Sequence, residues 1–241
     1  VKTQLPLCST KVAAAYGECY FAAWQHLDEA ARLEFETTCL QDLARSCLLC
    51  GSDALQERLR AALGAALHER KGKKDVDAAI DRVYAPLLWR NLSAANSKVR
   101  TRAIELLGDA FPIVDADAES AVERQLEALK VGLGDVCPKV RAAAATAAGS
   151  VLARFARAGL PASGVSSVIK ALGLATRDAA APAVRLAALR AIERIAPEAR
   201  GLVKSSAAAD KHVKAAFAKR GGHDASADCR VAYFGALHAY A

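Results

Sequence analysis

Cysteine and histidine are the residues of this sequence whose chemistry would be easiest to recognise. Cys47 and Cys50 form a Cys-x-x-Cys pair, and Cys39 precedes Cys47 by eight residues. A zinc site needs a second cysteine pair or histidines at ligand spacing, and neither His26 nor His68 supplies that pattern. Because Cys47 and Cys50 fall in an apolar helical stretch, we interpret them as buried structural thiols and predict no metal site.

Catalytic machinery is equally sparse in the rest of the sequence. His68-Glu69 is the only His-Glu pair, whereas some helical-repeat hydroxylases use several such pairs to hold iron. The sequence contains no glycine-rich phosphate loop, nucleophile elbow or constellation of carboxylates. We therefore predict that the protein is not an enzyme, and that it uses no cofactor and no small-molecule substrate.

Basic side chains are a third group that could do chemistry, and they are unevenly spread. The 241 residues carry a net charge of +7. Residues 1–74 hold 10 basic and 9 acidic side chains, residues 75–135 hold 7 and 11, and residues 136–241 hold 16 and 6. The last segment therefore has a balance of +10, which suits a polyanion such as DNA. Solvated helix faces rich in lysine and arginine would explain the same charge.

A recurring pattern organises most of these basic residues. An aliphatic residue is followed by an arginine and then by small or apolar residues at helical spacing. Its copies begin at Val99, Val140, Val184 and, more weakly, Cys229. The starts are 41, 44 and 45 residues apart, and a period of about 40–47 residues is typical of HEAT and armadillo arrays. Each copy follows a turn residue that favours a helix start. These turn residues are Asn96, Asp135, Asp178 and Asp224.

The arginine of the pattern is predicted to be structural. It is Arg100, Arg141, Arg185 or Arg230 in the four copies. Its planar guanidinium offers several donors in fixed directions, so it can bond the turn acid or a carbonyl of the neighbouring repeat. We interpret these four arginines as a ladder along the array and do not count them as DNA contacts.

The flanking lysines and arginines are better candidates for contacts with a polyanion. Long side chains without a fixed acidic partner can bind phosphates without reading bases. Lys211 and Lys214 are three residues apart and therefore share a helix face. The candidate DNA-binding residues are Lys98, Arg102, Lys139, Lys211, Lys214, Lys219, Arg220, Lys71, Lys73 and Lys74. For any one of them, a role as a solvated surface residue explains the sequence equally well.

The elements that position these residues are predicted to be helices throughout, because alanine is abundant and β-branched residues are few. One helix is expected ahead of each copy of the pattern, near residues 76–93, 118–134, 163–176 and 209–220. Residues 11–26, 28–50 and 53–70 also read as helices. The fold class is therefore all-α, an α-solenoid of HEAT-type antiparallel helix pairs. We predict a helical region with a weak repeat pattern over residues 1–74, followed over residues 75–241 by about four helix pairs of one continuous solenoid.

A family resemblance sharpens this scaffold prediction. Residues 86–115 read PLLWRNLSAANSKVRTRAIELLGDAFPIVD, which resembles the HEAT-repeat G-type non-SMC subunit of the condensin II complex. The resemblance continues through residues 135–141 and 223–231. It covers roughly residues 80–241, and residues 1–70 add little to it. The sequence departs from the family in the alanines of residues 142–148 and in Gly221-Gly222.

The resemblance implies partners and a location. Subunits of this type bind the kleisin of a complex that contains a pair of SMC ATPases, and together with the kleisin they bind double-stranded DNA during mitotic chromosome condensation. The nucleus and the chromosome are therefore the expected locations. No membrane partner is expected, because no run of about 18 apolar residues is free of charge and the N-terminus lacks a signal-peptide layout. The absence of methionine indicates an excerpt or a processed chain.

Two other functions remain open from the residues alone. A nuclear-transport or phosphatase scaffold would share the generic repeat. A HEAT-like DNA glycosylase would need aromatic residues and an acid in a basic groove. Trp24 and Trp89 are the only tryptophans, and Trp89 lies in a leucine-rich stripe where core packing explains it.

Overall fold

A computed structural model describes residues 4–113, 118–155, 160–205, 211, 213–215, 217 and 221–240, with backbone only at residues 118–119, 196–205 and 221. Over these residues the chain is helical and contains no β-strand, which confirms the all-α class. Contacts group it into two compact units, Val1–Ala118 and Glu119–Ala241. Within the described residues, no helix combines the length and apolarity needed to cross a bilayer.

The described residues of the first unit form six α-helices. They are α1 (Thr10–His26), α2 (Glu29–Phe35), α3 (Gln41–Leu49), α4 (Asp53–Ala66), α5 (Lys74–Asn91) and α6 (Ser97–Ala110). A π-helical turn, Glu36–Leu40, joins α2 to α3. The helix predicted over residues 28–50 is therefore continuous, with one π-helical segment inside it. The helix predicted over residues 53–70 ends at Ala66, and a 3-10 turn follows at His68–Arg70. The unit includes α5 and α6, which the sequence grouped with the repeats, and the continuity of the array stays a prediction.

Side-chain caps explain where three of these helices begin. The side chains of Ser9, Asp28 and Ser52 accept hydrogen bonds from backbone N–H groups three residues on, at 3.3, 2.9 and 3.3 Å. Each cap supplies an acceptor for an N–H group that the first helical turn leaves without one. Asp28 and Ser52 therefore set where the turns between α1 and α2 and between α3 and α4 end.

A fully buried carboxylate ties the π-helical turn to two neighbouring helices. Glu36 Oε1 accepts a hydrogen bond from Trp24 Nε1 of α1 at 2.8 Å. Arg82 of α5 donates to both carboxylate oxygens, at 2.6 and 3.0 Å. A buried charge is tolerated only when it is paired and hydrogen-bonded, and Glu36 meets both conditions. The hydrogen bond from Arg82 also raises the pKa of that arginine further above its usual value.

Five long helices account for most of the described residues of the second unit. They are α7 (Ala118–Leu133), α8 (Pro138–Phe155), α9 (Ala162–Ala175), α10 (Pro182–Ser205) and α11 (Ala227–Tyr240). The helices α8, α10 and α11 contain the three later copies of the repeat pattern, and α10 packs against both of the others. The predicted helices at 118–134 and 163–176 agree with α7 and α9 to within one residue at each end. Most of the predicted helix at 209–220 lies outside the described residues.

Small residues let α8 and α10 approach closely. A Cβ atom added at Gly149 would lie 2.7 Å from both the Cα and the Cβ of Ala191. Ala144, Ala145 and Ala148 on the same helix are fully buried. The alanine-rich helix of residues 142–148 is therefore one side of a tight helix–helix contact, in which there is no room for a larger side chain.

We expect Gly149→Val to destabilise the second unit by about 1–3 kcal/mol, because the new methyl groups would force α8 away from α10. The midpoint of urea unfolding, followed by circular dichroism, measures this change. Gly51→Ala is the matched control, since nothing lies within 4 Å of a Cβ atom at position 51. Equal midpoints for the Gly149→Val variant and the parent protein would contradict the tight contact.

Candidate nucleic-acid interface

The repeated arginines each bind the turn that precedes their own helix. One guanidinium nitrogen, Nη1, donates to two successive backbone carbonyls of that turn. These pairs are Ala94 and Ala95 for Arg100, Asp135 and Val136 for Arg141, and Asp224 and Ala225 for Arg230. Arg185 likewise donates to the carbonyl of Asp178 at 2.8 Å. This shared contact explains why an arginine recurs at the second position of each copy of the pattern.

Two of these arginines also bind the turn acid of the following repeat. Arg141 Nε donates to Asp178 Oδ2 at 2.7 Å. Arg185 donates through Nε and Nη2 to the two carboxylate oxygens of Asp224, at 2.6 and 2.8 Å. All four side chains are largely shielded from solvent. Their donors therefore point to protein acceptors, and these two arginines offer little to an external phosphate.

The turn acids shape their own loops as well. Asp178 Oδ1 accepts from the backbone N–H groups of Ala180 and Ala181, and Asp224 Oδ1 accepts from that of Ser226. The hydrogen bond from Arg185 lowers the pKa of Asp224 below its ordinary value. The same pairing raises the pKa of Arg185. Each acid thus forms the turn and fastens the preceding repeat to it.

Arg102, which the sequence nominated as a DNA contact, lies in the interior, and that nomination is wrong for this structure. Its side chain is 4% exposed. The guanidinium donates to the backbone carbonyls of Leu48, Cys50 and Ser52, and it pairs with Asp53 at 3.0 Å. These groups form the turn between α3 and α4, so Arg102 closes the C-terminal end of α3 and cannot reach a duplex.

Two candidate lysines are also held by the protein. Lys98 Nζ lies 2.9 Å from Asp53 and donates to the carbonyl of Gly51 at 2.8 Å. Lys71 Nζ donates to the carbonyls of Asp109 and Phe111, where α6 ends. Lys98 is nevertheless exposed and could exchange its partner for a phosphate, whereas Lys71 is half-buried over the end of the helix.

The remaining candidates are exposed wherever the structure describes them. Lys73 precedes α5 and Lys74 begins it. Lys139 is the second residue of α8, and Lys211 and Lys214 lie in helical backbone between α10 and α11. Lys219 and Arg220 lie outside the described residues.

The structure adds three arginines that the sequence reasoning missed. Arg154 is exposed near the end of α8, and Arg190 and Arg194 are exposed one turn apart on α10. Arg194 Nη1 donates to Ser150 Oγ of α8 at 2.5 Å, which places the outer faces of the two helices side by side. Lys139, Arg154, Arg190 and Arg194 thus form an exposed face, here called the basic strip. The i, i+4 spacing of Arg190 and Arg194 was the signal that could have found it.

The carboxylate of Glu193 points away from the basic strip. Glu193 is the acid nearest in sequence, and its carboxylate lies beside α11, with Oε1 2.6 Å from where a Cβ atom would sit on Gly235. Among the described residues, no acid lies within ion-pair distance of Lys139, Arg190 or Arg194. Lys139, Arg190 and Arg194 therefore keep a positive charge that no acid of the described residues neutralises.

The cysteines and histidines show no sign of a metal centre in the part of the chain that the structure describes. No group of three or more His, Cys, Asp or Glu side chains is placed to hold a metal ion there. Cys47 is fully buried, its thiol donates to the carbonyl of Gln56, and burial raises its pKa to about 12. His68 lies 2.8 Å from the hydroxyl of Tyr84.

Comparison with known proteins identifies the family to which the chain belongs. Residues 1–115 match the family described as the condensin II non structural maintenance of chromosomes subunit. Condensin-2 complex subunit G2 of Danio rerio is 31% identical over 244 residues, covering 98% of this chain and 21% of that protein. The chain belongs to the condensin II non-SMC subunit family. The Homo sapiens subunit G2 is also 31% identical, over 58% of this chain and 13% of its own length.

The extent of the match corrects one expectation. Residues 1–70 were expected to add little to the resemblance, yet the family match begins at residue 1 and ends at residue 115. The chain spans about a fifth of the length of the Danio rerio relative. The family pattern in the first unit is therefore carried by α1 to α4 as well as by the repeat at Val99.

Solved structures confirm the solenoid class. A designed armadillo repeat protein in complex with the peptide (KR)4 has a TM-score of 0.54 at 16% identity, covering 100% of this chain and 98% of that one. A Kap121p mutant has a TM-score of 0.65 at 16% identity, covering 99% of this chain and 22% of that one. At this identity the likeness concerns the fold alone, which is that of armadillo and HEAT repeats.

We expect Arg102→Ala to lower the stability of the first unit by roughly 1.5–3 kcal/mol, because the turn carbonyls would lose a charged donor. Chemical unfolding followed by circular dichroism measures the change. Lys98→Ala, which removes an exposed partner of the same Asp53, is the matched control and should cost about 1 kcal/mol or less. If Arg102→Ala were as mild as this control, the interior role of Arg102 would be refuted.

The lowered pKa of Asp224 predicts a pH dependence of stability. A group whose pKa is lower in the folded state stabilises the fold above its unfolded pKa of about 3.9, and that stabilisation is lost as the pH falls through the folded value. The difference in unfolding free energy between the parent and Asp224→Asn should therefore be constant near neutral pH and shrink below about pH 4. In an Arg185→Gln background the substitution should have a much smaller effect. A difference that persists unchanged to pH 2 would argue against the ion pair as its source.

Proposed function

We propose that this chain is part of a non-catalytic condensin II subunit that binds double-stranded DNA through the basic strip of α8 and α10. The observation that carries the proposal is the exposed row of Lys139, Arg154, Arg190 and Arg194 on two adjacent helices of a family member. A row of cations on a rigid helical face suits a regular polyanion. The helices already fix the positions of the charges, so binding phosphates costs little conformational entropy.

The chemistry of the strip favours binding to the DNA backbone over reading of bases. Arginine can engage a phosphate with two parallel hydrogen bonds, and lysine acts as a mobile point charge. The neighbouring Ser150 accepts a hydrogen bond from Arg194, so its own hydroxyl hydrogen can be donated to a phosphate oxygen. Binding of this kind is weakly dependent on sequence and strongly dependent on salt.

The excess of basic residues continues beyond the strip. Lys211 and Lys214 are exposed, and together with Lys139 they are proposed as phosphate contacts. Lys73 and Lys74 at the start of α5, and Lys98 at the start of α6, are further exposed basic residues of the first unit, and the same chemistry holds for each of them. Lys71 and Arg102 have no part in the proposal, because their donors are bound to backbone carbonyls.

The family supports the wider setting of the proposal. Its members are condensin II subunits outside the SMC pair, so we infer that the chain acts in the nucleus, on chromosomes, with a kleisin subunit and an SMC ATPase pair. Chromosome condensation in mitosis is the process in which it would take part. In this setting the chain supplies a binding surface and the ATPase pair supplies the chemistry.

Electrophoretic mobility shift and fluorescence anisotropy with a duplex test the DNA contacts directly. The double variant Arg190→Ala/Arg194→Ala should weaken binding roughly tenfold and reduce the slope of log affinity against log salt by about 1–2. The control Lys130→Ala/Lys170→Ala removes the same charge from exposed positions on α7 and α9. Equal losses in the two double variants would assign the effect to net charge and contradict a specific strip.

The kleisin forms a second arm of the same experiment. Binding is measured with the chain alone and with the kleisin segment present, at the same low ionic strength. A shift that appears in either arm and weakens steeply with salt supports the proposal. The absence of any shift in both arms at low salt overturns DNA binding by this chain.

A further inference from the structure

Ser93 differs from the other hydroxyl side chains of the sequence in its spacing from an arginine. Arg90 precedes it by three residues, and no other serine or threonine of the chain has an arginine at that distance. A large class of serine/threonine protein kinases selects its substrates by an arginine three residues before the acceptor, because acidic side chains of the kinase bind the guanidinium. The spacing therefore favours Ser93 as a phosphate acceptor.

The structure places Ser93 where a kinase can reach it. Ser93 lies in the turn between α5, which ends at Asn91, and α6, which begins at Ser97. Its side chain is exposed. The hydroxyl donates one hydrogen bond, 3.3 Å long, to the backbone carbonyl of Arg90. This bond is local and solvent-exposed, so it costs little to break.

The other exposed hydroxyls outside the helices already have a structural task. Ser9 accepts a hydrogen bond from the backbone N–H of Val12, and Ser52 accepts one from that of Leu55. Both serines are helix caps. Within the described part of the chain, Ser93 is the exposed serine outside the helices whose hydroxyl caps no helix. A phosphate on Ser93 therefore displaces no cap.

Arg90 is as accessible as the serine. It is exposed in the last turn of α5, and its guanidinium makes no ion pair or hydrogen bond with any residue that the structure describes. Kinases bind their substrates in an extended form, so the end of α5 has to open. The bonds to be broken there include the one from the Leu92 N–H to the carbonyl of Leu88. Helix ends open at a low cost in free energy.

From this spacing and this placement we infer that Ser93 is phosphorylated by a protein kinase that selects arginine three residues before the acceptor, with ATP as the phosphoryl donor. In the transfer, Ser93 Oγ forms a bond to the γ-phosphorus of ATP, and the bond from that phosphorus to the β,γ-bridging oxygen breaks. The hydroxyl proton passes to the catalytic aspartate of the kinase. The products are phosphoserine and ADP.

The phosphate lowers the positive charge of the turn. Residues 90–100 contain Arg90, Lys98 and Arg100 and no acidic residue, which gives a formal charge of +3. A phosphoserine carries about −1.5 to −2 at neutral pH, so the charge falls to about +1. Its oxygens are strong acceptors for the guanidinium of Arg90, which lies one helical turn earlier in the chain.

The loss of charge predicts a regulatory effect. Lys98 is among the residues proposed to contact DNA phosphates, so phosphorylation of Ser93 should weaken the binding of duplex DNA by the first unit. This effect rests on the proposed function. The assignment of Ser93 as a phosphate acceptor does not, because it depends only on the spacing and the exposure of the turn.

The acceptor is tested by incubating the purified 241-residue chain with ATP, Mg²⁺ and a calcium/calmodulin-dependent protein kinase, which selects arginine at this distance. Mass spectrometry should find one added phosphate, on Ser93. Ser93→Ala should abolish it, and Arg90→Gln should slow it about tenfold or more, because the kinase loses a charged hydrogen-bond partner. Arg45→Gln, on an exposed arginine of α3, is the matched control and should leave the rate unchanged.

A second control removes a competing hydroxyl. Thr101 follows Lys98 by three residues, but it is half-buried within α6 and donates to the carbonyl of Ser97. Thr101→Ala should therefore not reduce incorporation. No incorporation by the parent chain overturns the proposal, and so does incorporation that persists in Ser93→Ala or is unaffected by Arg90→Gln. Arg90→Lys, which keeps the charge, provides the same readout if Arg90→Gln does not fold.

The regulatory effect is measured on the phosphorylated chain and on the same chain after treatment with a phosphatase. Fluorescence anisotropy at low salt should show about threefold or more weaker binding of a duplex by the phosphorylated form. Equal affinities of the two forms overturn the regulatory effect. A chain that binds no duplex in either form contradicts the proposed function, and the phosphorylation result is then judged by mass spectrometry alone.

Discussion

One interaction determines the repeat register in the second unit: an arginine that binds its own turn with one nitrogen and the next turn acid with two others. Arg185 makes both sets of contacts, to Asp178 and to Asp224. Ion pairs that are shielded from water contribute less to net stability than to specificity, because desolvation offsets much of their attraction. Their main effect here is geometric. They allow one relative position of neighbouring helices, and that position sets which side chains face outward.

The basic strip depends on this register and on the small residues beneath it. Gly149 and Ala191 bring α8 and α10 close enough for Arg194 to reach Ser150 across the gap. A larger residue at either position would separate Lys139 and Arg154 from Arg190 and Arg194. The alanines of this segment therefore favour a denser row of charge than bulkier aliphatic residues would allow.

The sequence was sufficient for the helices and the repeat, because helical periodicity and turn residues act locally. It was insufficient for individual basic residues, because their environment depends on distant backbone. Arg102 has the spacing of a surface residue, yet the turn between α3 and α4, about 50 residues earlier in the chain, encloses it. Arg190 and Arg194 were overlooked for the opposite reason: nothing in their own helix shows that Glu193 is directed to α11 and leaves them exposed. The buried Glu36 could not be foreseen either, since its partners come from α1 and α5.

The position of the ladder has a mechanical consequence. Arg141 and Arg185 both lie in the first turn of their helices, so the ion pairs that the structure describes between neighbouring repeats lie at one edge of the stack. Away from that edge, apolar and small-residue contacts, which are not directional, hold most of each interface, together with the hydrogen bond from Arg194 to Ser150. A stack fastened in this way resists sliding, because sliding would break directional bonds, and it yields more readily to a fanning motion about the fastened edge. The second unit should therefore be stiffer at the edge that holds the arginine–aspartate pairs than at the opposite edge.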